Sequence, residues 1–337
     1  MWEIRRYEES SRQEWDEFVA SSRNSTFLFM RGFMDYHGDR FRDFSLMAYR
    51  NGRLAALLPA NISDDVLWSH QGLTYGGWLW PMSGLDVTDI FFLWRSWLEF
   101  CRSEGIERVI YKPLPTIYHL CPSQEDLYML FLSGATLIQT DISSAIDLHA
   151  NPGFNKLQKR HLCHVSNRHY QGFFSIADTD IVEQFYALLS SCLAERHSAS
   201  PVHSLEELKL LMSRFPTNIR LWAAFGGDAG EMLAGVLVFE SPVCVHCQYI
   251  ATSEAGREGN DLPYLIKGMV DFYTWSATGK PLRYLDFGIS NEDGGRKLNP
   301  GLNRQKTSFG ASGVACQRFE INVSSALTML PDSLWKK

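Results

Sequence analysis

One predicted strand places three polar side chains that can do chemistry on a single face. The stretch is VCVHCQYIA, from Val243 to Ala251. Alternate residues of a strand point to opposite sides, so Cys244, His246 and Gln248 share one face, whereas residues 243, 245, 247, 249 and 251 share the other, mostly apolar face. His246 can accept a proton near neutral pH, because the ordinary pKa of histidine is about 6.5. The competing interpretation is a structural histidine that packs under a helix with one hydrogen bond.

The cysteines beside His246 do not have the pattern of a metal site. Alternation sends Cys247 to the face opposite Cys244 and His246, and the sequence has no second C-x-x-C pair of the kind found in zinc modules. We therefore expect no metal. The chain has 7 cysteines, an odd number without regular spacing, which predicts reduced thiols rather than a disulfide framework.

A second polar stretch, SHQGLTYGG, follows an apolar strand. It combines Ser69, His70, Thr74 and Tyr75 with glycines at 72, 76 and 77. Gly76 and its neighbour allow a close approach of the backbone or a positive φ, and the polar side chains supply donors and acceptors beside them. Two interpretations remain: a substrate-binding segment, or a bulged strand end whose polar groups satisfy the backbone.

Composition limits the classes of protein that fit. The chain has 337 residues, of which 45% are hydrophobic and 21% charged, as in an ordinary globular protein of two domains. The net charge of −6 argues against a surface coated with basic groups for indiscriminate nucleic-acid binding. Arg95 and Glu99 interrupt the most apolar helix-like run, and MWEIRRYEES lacks the layout of a signal peptide. We predict a cytoplasmic protein without a membrane span.

A basic segment lies in the middle of the chain, at residues 155–170. It contains Lys156, Lys159, Arg160 and Arg168 and no acidic residue. We predict a helix or helix-turn, which is either a solvated face or a surface that attracts a phosphate-bearing ligand. The nearby histidines 149, 161, 164 and 169 lack the pattern of a zinc protease and carry no special weight.

An internal repeat organises the chain. A predicted hairpin turns at Asn51-Gly52 in SLMAYRNGRLAALL, and RLWAAFGGDAGEMLAGVLV repeats that plan in the second half. A third strand, a long helix ending near a glycine and a further strand follow each hairpin. The order strand-strand-strand-helix-strand therefore occurs twice. We predict two copies of one mixed α/β domain, at residues 1–149 and 150–337.

The repeat, together with LDFGISNEDGGRKLNPGLNRQKTSFGA, resembles the tandem-domain branch of the GNAT N-acyltransferase superfamily, which includes the Fem-type aminoacyltransferases of peptidoglycan cross-bridges. The most specific element is GLNRQKTSFG, from Gly301 to Gly310, although the phenylalanine often found before the lysine is Gln305 here. The resemblance implies an α/β (mixed α+β) fold with two tandem GNAT-like domains, each a mixed central sheet flanked by helices.

The resemblance also implies a mechanism. In a GNAT domain the third and fourth core strands separate, an acyl thioester lies in the gap with its carbonyl against a backbone N–H, and the amine attacks it directly. By this resemblance we assign catalytic roles to Lys306, His246 and Asp286. The competing view of Lys306 is a surface lysine that only solubilises a helix. The residues assigned to substrate binding are Gln248 and Arg304 and, in a cleft between the domains, Ser69, His70, Thr74, Tyr75 and Gly76.

The expected donor-binding loop differs most from the family's sequence pattern. Family members that use coenzyme A carry a glycine-rich phosphate loop after the third strand. Here that place holds SEAGREGND, in which Gly256, Arg257 and Gly259 are the expected donor-binding residues. The spacing differs from the family's, and the acidic residues would repel phosphate, so a plain surface turn is the alternative. The equivalent TYGGWLWPMSG has no basic residue, and we expect that the first domain has lost donor binding.

These patterns predict an N-acyltransferase, with a non-catalytic GNAT-like ligand-binding protein as the alternative. The donor is acyl-CoA or aminoacyl-tRNA, and in the second case tRNA is a partner. The acceptor is an amine on a small molecule or peptide, in cell-envelope or peptidoglycan metabolism.

Overall fold

The computed structural model of the chain describes residues 2–150, 153–163, 170–174, 178–197, 199–226, 230–275 and 282–331. These residues form two compact units. Unit 1 comprises the described parts of 1–141 and 315–337, and unit 2 those of 142–314. The sequence-based division at 149/150 therefore differs from this partition in one important respect, because the last stretch of the chain belongs to unit 1.

Unit 1 begins with six strands and four α-helices. The strands are β1 (Trp2–Arg6), β2 (Leu46–Arg50), β3 (Arg53–Leu58), β4 (Asn61–Ser63), β5 (Val66–Trp68) and β6 (Arg108–Tyr111). The helices are α1 (Arg12–Ser21), α2 (Arg31–Met34), α3 (Val87–Ser103) and α4 (Glu125–Leu132). Short 3-10 turns occur at Glu9–Ser11, Phe27–Phe29, Asp35–His37 and Thr116–Tyr118.

Unit 2 contains the second copy of the repeat. Its strands are β7 (Thr136–Asp147, which starts in unit 1), β8 (Tyr170–Phe174), β9 (Ile219–Gly226), β10 (Glu231–Glu240), β11 (Cys244–Thr252), β12 (Tyr284–Ile289), β13 (Asn291–Glu292) and β14 (Lys297–Leu298). Its helices are α5 (Lys156–Cys163), α6 (Thr179–His197), α7 (Leu205–Arg214), α8 (Glu254–Glu258), α9 (Asp261–Trp275) and α10 (Pro300–Ser308). The chain then returns to unit 1 with β15 (Ser312–Asn322) and α11 (Val323–Met329).

Local sequence signals account for several of these elements. Asn51 and Gly52 both have positive φ, at 52° and 77°, so the predicted turn joins β2 to β3 as a tight hairpin. Asp86 caps α3 by accepting a hydrogen bond from the backbone N–H of Asp89, and Gly105 follows the helix with a φ of 74°. The glycine expected to end the equivalent helix α9 lies outside the described residues.

Unit 1 has two sheet segments over a tryptophan-rich core. Strands β1, β2 and β3 form an antiparallel sheet, and β4, β5, β6 and β15 are consecutive neighbours. The β5–β6 pair is parallel, whereas β15 runs antiparallel to β6. Helix α3 packs Trp94 and Trp97 into the core together with Trp78 and Trp80. The third strand of this half ends at Trp68, and His70 adopts a φ of 71° shortly after it.

Unit 2 has one mixed sheet in the order β7-β12-β11-β10-β9-β8. The β11–β12 pair is parallel and the neighbouring pairs are antiparallel. Helix α9 covers one face of this sheet with an apolar core. Helix α6 covers the other face, where Phe185 lies against Gly235 at a distance that leaves no room for a Cβ atom.

The mixed α+β architecture with two copies of one domain, as predicted, is therefore confirmed. The predicted basic helix is present over Lys156–Cys163, and the rest of that segment, with Arg168, His164 and His169, lies outside the described residues.

In the part of the chain that the structure describes, no helix has both the length and the apolar character needed to cross a membrane.

Candidate active site

The parallel strands β11 and β12 separate in the middle of unit 2. Their pairing covers three positions and ends where His246 lies opposite Asp286. Beyond that pair, β11 continues to Thr252 and β12 to Ile289 with no further pairing between them. This is the separation that the resemblance implied for the third and fourth core strands, and it opens a gap in the sheet.

A histidine and an aspartate mark the start of the gap. The imidazole Nδ1 of His246 lies 2.9 Å from Oδ2 of Asp286. The other carboxylate oxygen accepts hydrogen bonds from the Ser143 hydroxyl at 2.5 Å and from the Gly288 N–H at 3.0 Å. Because a carboxylate only accepts hydrogen bonds, Nδ1 carries the hydrogen and Nε2 is the nitrogen that can take a proton. Ser143 was missed from sequence, since a serine in a long strand carries no signal of its own.

Lys306 is a buried part of the same region. Only 5% of the residue is exposed, and its Nζ donates hydrogen bonds to the carbonyls of Gly288 (2.8 Å) and Ile289 (2.6 Å). Burial lowers the pKa of Lys306 to about 8, against the opposing effect of nearby Asp286 and Cys247. The interpretation of Lys306 as a surface lysine is therefore wrong. Its ammonium group thereby holds the backbone just after Asp286, where Gly288 has a φ of 74° and the register of β12 with β7 shifts.

A cavity of about 180 Å³ extends through the gap. It is lined by residues from α6, the end of β11, α9, β12 and α10. Helices α6 and α9 cover opposite faces of the sheet, so a cavity that contacts both can exist only where the strands have parted. Lys306 and Phe287 line it, which places the cavity directly beyond the His246–Asp286 pair.

A β-bulge corrects the predicted alternation along β11. Cys247 pairs with Val238 and Tyr249 pairs with Leu237, which leaves Gln248 as an extra residue. A bulged residue stands outside the ladder and reverses the facing of those that follow. Tyr249 therefore does not share a face with Cys247. Its hydroxyl lies 2.6 Å from Nδ1 of His203. The half-buried Gln248 keeps its assignment to substrate binding as a prediction.

The expected phosphate loop is a short helix. Residues 254–258 form α8, capped by the Ser253 hydroxyl, which accepts the hydrogen bond of the Gly256 N–H. The Gly259 N–H donates to the Ala255 carbonyl, and the Arg257 guanidinium donates to the Thr252 carbonyl at 2.7 Å. A Cβ at Gly256 would lie 2.0 Å from the Leu233 carbonyl oxygen, so this glycine is required by helix-to-strand packing. The N–H groups of Gly256 and Gly259 and one N–H group of Arg257 are therefore bonded within the protein, and the donor-binding role of these three residues stays a prediction.

SHQGLTYGG lies in the interior of unit 1. Ser69, His70 and Tyr75 are at most 5% exposed. The Ser69 hydroxyl accepts from the Lys112 N–H at 2.7 Å, and a Cβ at Gly76 would lie 1.8 Å from the Ser69 carbonyl oxygen. Because Ser69, His70, Tyr75 and Gly76 are buried inside unit 1, their expected role in acceptor binding is corrected to a structural one. The close backbone approach predicted for the glycines is confirmed at Gly76.

This segment closes the gap in unit 1 that is open in unit 2. In the corresponding register, Trp68 lies opposite Ile110, where unit 2 has His246 and Asp286. After this pair the Gly76 N–H donates to the Lys112 carbonyl, and the Tyr111 hydroxyl, fully buried, accepts from the Trp78 N–H at 2.8 Å. Among the described residues, unit 1 thus has the apolar Trp68–Ile110 pair in place of the polar pair of unit 2.

The remaining predicted residues are exposed. Thr74 is exposed in unit 1, and Arg304 is exposed on α10, where its Nε donates to the Pro300 carbonyl one turn earlier. Lys156 and Lys159 are exposed on α5. Substrate roles for Thr74 and Arg304 stay predictions.

Lys112 leads to a prediction about stability. It is 8% exposed, its Nζ donates to the Leu73 carbonyl, and burial lowers its pKa to about 7. Between pH 7 and the ordinary lysine pKa of about 10.4, the unfolded chain binds more protons than the folded one. The free energy of unfolding should therefore rise with pH across this window, by up to about 4 kcal/mol from this group.

In Lys112→Met this rise should be smaller by the contribution of Lys112. Urea unfolding followed by tryptophan fluorescence at pH 7, 8, 9 and 10 measures it, with Lys297→Met as a control at a lysine whose side chain is 72% exposed. Parallel pH profiles for the wild type and Lys112→Met would contradict the prediction.

No protein-family model matches the chain, and no curated protein matches it in sequence. Solved structures do match. The crystal structure of FemX superposes with a TM-score of 0.68 at 12% identity, covering 97% of this chain and 99% of that one. The C-terminal domain of a putative lysylphosphatidylglycerol synthetase from Agrobacterium fabrum gives 0.56 at 11% identity, covering 96% of each chain.

A tandem GNAT protein from the clavulanic acid biosynthesis pathway also superposes, with a TM-score of 0.53 at 12% identity over 96% of this chain and 99% of that one. Such low identities establish the fold rather than the reaction. Together with the duplicated domain and the separated strands of unit 2, these superpositions show that the chain has a tandem-domain fold like that of FemX and of the tandem GNAT protein.

Proposed function

We propose that the protein is an N-acyltransferase whose chemistry takes place in unit 2. The observation that carries this proposal is the position of the His246–Asp286 pair at the point where β11 and β12 part, directly before a cavity that extends through the sheet. An acyl donor lying in that gap would present its carbonyl beside a group able to take a proton.

The proposed reaction needs no covalent enzyme intermediate. The acceptor amine attacks the donor carbonyl, a C–N bond forms, and the C–S bond of a thioester or the C–O bond of an ester breaks. Nε2 of His246 takes the surplus proton of the amine, while Asp286, which accepts a hydrogen bond from Ser143, holds the imidazole in position. The leaving group takes a proton from solvent or from the imidazolium.

Two features stabilise the charge that develops in this reaction. The bulge at Gln248 places one residue outside the strand ladder, and its backbone N–H is our candidate for the donor to the carbonyl oxygen. The ammonium group of Lys306 supplies a fixed positive charge at the edge of the cavity. A charge in a site of low dielectric acts more strongly on the transition state than it would in water.

Unit 1 is proposed to be non-catalytic. Its equivalent positions carry Trp68 and Ile110, and the SHQGLTYGG segment occupies the region where unit 2 has its gap. Neither side chain can take up a proton. This supports the expectation that donor binding has been lost in this half of the chain.

The donor is proposed to be an activated acyl or aminoacyl group that α8 does not hold by a pyrophosphate. FemX and the lysylphosphatidylglycerol synthetase domain are among the structures with this fold. Because SEAGREGND departs from the phosphate-loop spacing of coenzyme A enzymes, aminoacyl-tRNA is our first candidate and acyl-CoA the second, with the exposed lysines of α5 as a surface for phosphate groups. The acceptor is an amine of a small molecule or peptide in cell-envelope metabolism, and the reaction is placed in the cytoplasm.

The alternative proposal is a ligand-binding protein without catalysis. Helix α8 favours it, because the Gly256 N–H and one N–H group of the Arg257 side chain donate within the protein rather than to a phosphate. Such a protein would keep the cavity but not turn a donor over.

Melting temperatures measured with acetyl-CoA, longer acyl-CoAs and charged tRNA distinguish these proposals. A ligand present at a hundred times its Kd adds about 2.7 kcal/mol to the free energy of unfolding and so raises the melting temperature. We expect at least one donor class to do this, and to be consumed when a mixture of amine acceptors is added. His246→Ala should retain binding and lose turnover. Binding without turnover in wild type and variant alike would favour the ligand-binding alternative.

A further inference from the structure

The cavity of unit 2 is mainly apolar. Eight of its twelve lining residues are aliphatic or aromatic, among them Leu193 from α6, Ile250 from β11 and Ile266 from α9. The polar lining groups are partly engaged elsewhere. Lys306 donates to two backbone carbonyls, and the Cys192 thiol donates to the Thr252 carbonyl at 3.4 Å. The lysine therefore offers its hydrocarbon stem to the cavity as well as its charge.

The volume and the opening restrict what fits. A cavity of about 150 Å³ lined by apolar residues takes a molecule the size of benzene, so about 180 Å³ suits a group of about six to eight non-hydrogen atoms. Leu302 and Gln305 are exposed on α10 and also line the cavity, so α10 forms its open side. A chain can enter there while its polar end stays near the solvent.

We infer that this cavity holds an uncharged, apolar part of the acyl group, with about six to eight non-hydrogen atoms. The inference rests on the proposed function, because it assigns the ligand to the donor. Two sources share this chemistry: the hydrocarbon chain of a medium-length alkanoyl group, and the side chain of a large apolar amino acid. A glycyl or acetyl group would leave the cavity mostly empty, which forfeits the packing that the lining offers.

Binding of model donors tests the inference without any transfer. The probes are N-acetylcysteamine thioesters with acyl chains of 2, 4, 6, 8 and 12 carbons, and the amides of alanine, leucine and phenylalanine. Each buried CH₂ should tighten Kd about fourfold, and the gain should end near eight carbons. If an amino acid is the source, leucine and phenylalanine amides should bind more tightly than alanine amide and more tightly than alkanoyl thioesters of similar size.

Two variants test whether the preference for larger acyl groups arises in the cavity. Leu302→Trp and Leu193→Trp narrow it from the open side and from α6, so both should abolish the preference for larger groups. Leu210→Trp is the matched control, since Leu210 on α7 is 40% exposed, close to the 37% of Leu302, and does not line the cavity. Calorimetric Kd values and melting temperatures of the full chain provide the measurement.

The outcomes separate this inference from the proposed function. Length-dependent binding without transfer supports the cavity assignment and counts against the acyltransferase. Transfer that is equally efficient for acetyl and octanoyl thioesters, and for alanyl and leucyl donors, overturns the inference and leaves the acyltransferase standing. Size dependence that persists unchanged in both cavity variants also overturns it.

Discussion

Replacing Lys306 with methionine should lower the rate of acyl transfer about a hundredfold, because the substitution removes the only lysine charge that lines the cavity in the described part of unit 2. Its effect on stability should be modest. The carbonyls of Gly288 and Ile289 lose a donor, which destabilises the fold, while the removal of a buried charge stabilises it. We expect the two contributions to leave the free energy of unfolding within about 2 kcal/mol of wild type.

The pH dependence gives the Lys306 prediction a second readout. The pKa of Lys306 is lowered to about 8, so the ammonium form is lost as the pH rises through that value. If the charge acts on the transition state, the wild-type kcat should fall above about pH 8, and the residual rate of Lys306→Met should not show this fall. Lys297→Met, at an exposed lysine of the same unit, serves as the control. Full activity in Lys306→Met at an unchanged melting temperature would remove the residue from the mechanism and leave His246 as the main candidate.

Replacing Asp286 with asparagine should lower the rate by about a hundredfold to ten-thousandfold. Asparagine keeps an oxygen that can accept from Ser143 and Gly288, so the fold should survive. Its NH₂ group, however, would point a donor at Nδ1 of His246, which then carries no hydrogen, and Nε2 becomes protonated in the neutral ring. A ring in that form cannot take the proton of the amine.

The tautomer of His246 tests this prediction independently of the rate. Nitrogen chemical shifts of the imidazole should show hydrogen on Nδ1 in the wild type and on Nε2 in Asp286→Asn. Asp271→Asn is a control at an exposed carboxylate of α9 that pairs with Lys267. If Asp286→Asn keeps both the wild-type rate and the wild-type tautomer, then the carboxylate does not orient the base.

The sequence was sufficient for the repeat and for most of its elements. Apolar periodicity and the Asn51-Gly52 turn are local signals, and each predicted the structure that forms. The pairing of His246 with Asp286 was not predictable in this way. It depends on the register between two strands that are 40 residues apart in sequence and are connected through α9. The sequence analysis assigned a catalytic role to each residue, but no local sequence feature indicates that the two are in contact.

The wrong predictions concern features that the local sequence does not determine. Strict alternation along β11 missed the bulge at Gln248, because an extra residue leaves no mark in composition. Gly256 and Gly76 were interpreted as places where a ligand approaches the backbone, and in both cases the approaching group is a carbonyl of the same unit. A glycine indicates close approach but does not identify the partner. Likewise, the burial of Lys306 depends on the tertiary position of α10 and could not be read from a polar helix.

Because the last part of the chain returns to unit 1, it affects when unit 1 can fold during synthesis. Strand β6 ends at Tyr111, and its partner β15 begins at Ser312, about two hundred residues later. At a translation rate of about 5–20 residues per second, that interval lasts roughly ten to forty seconds. During it, the edge of β6 that later pairs with β15 is without that partner, and unpaired strand edges are prone to aggregation. The half of the protein that is made first therefore gains its β6–β15 pairing only after most of the chain has been synthesised.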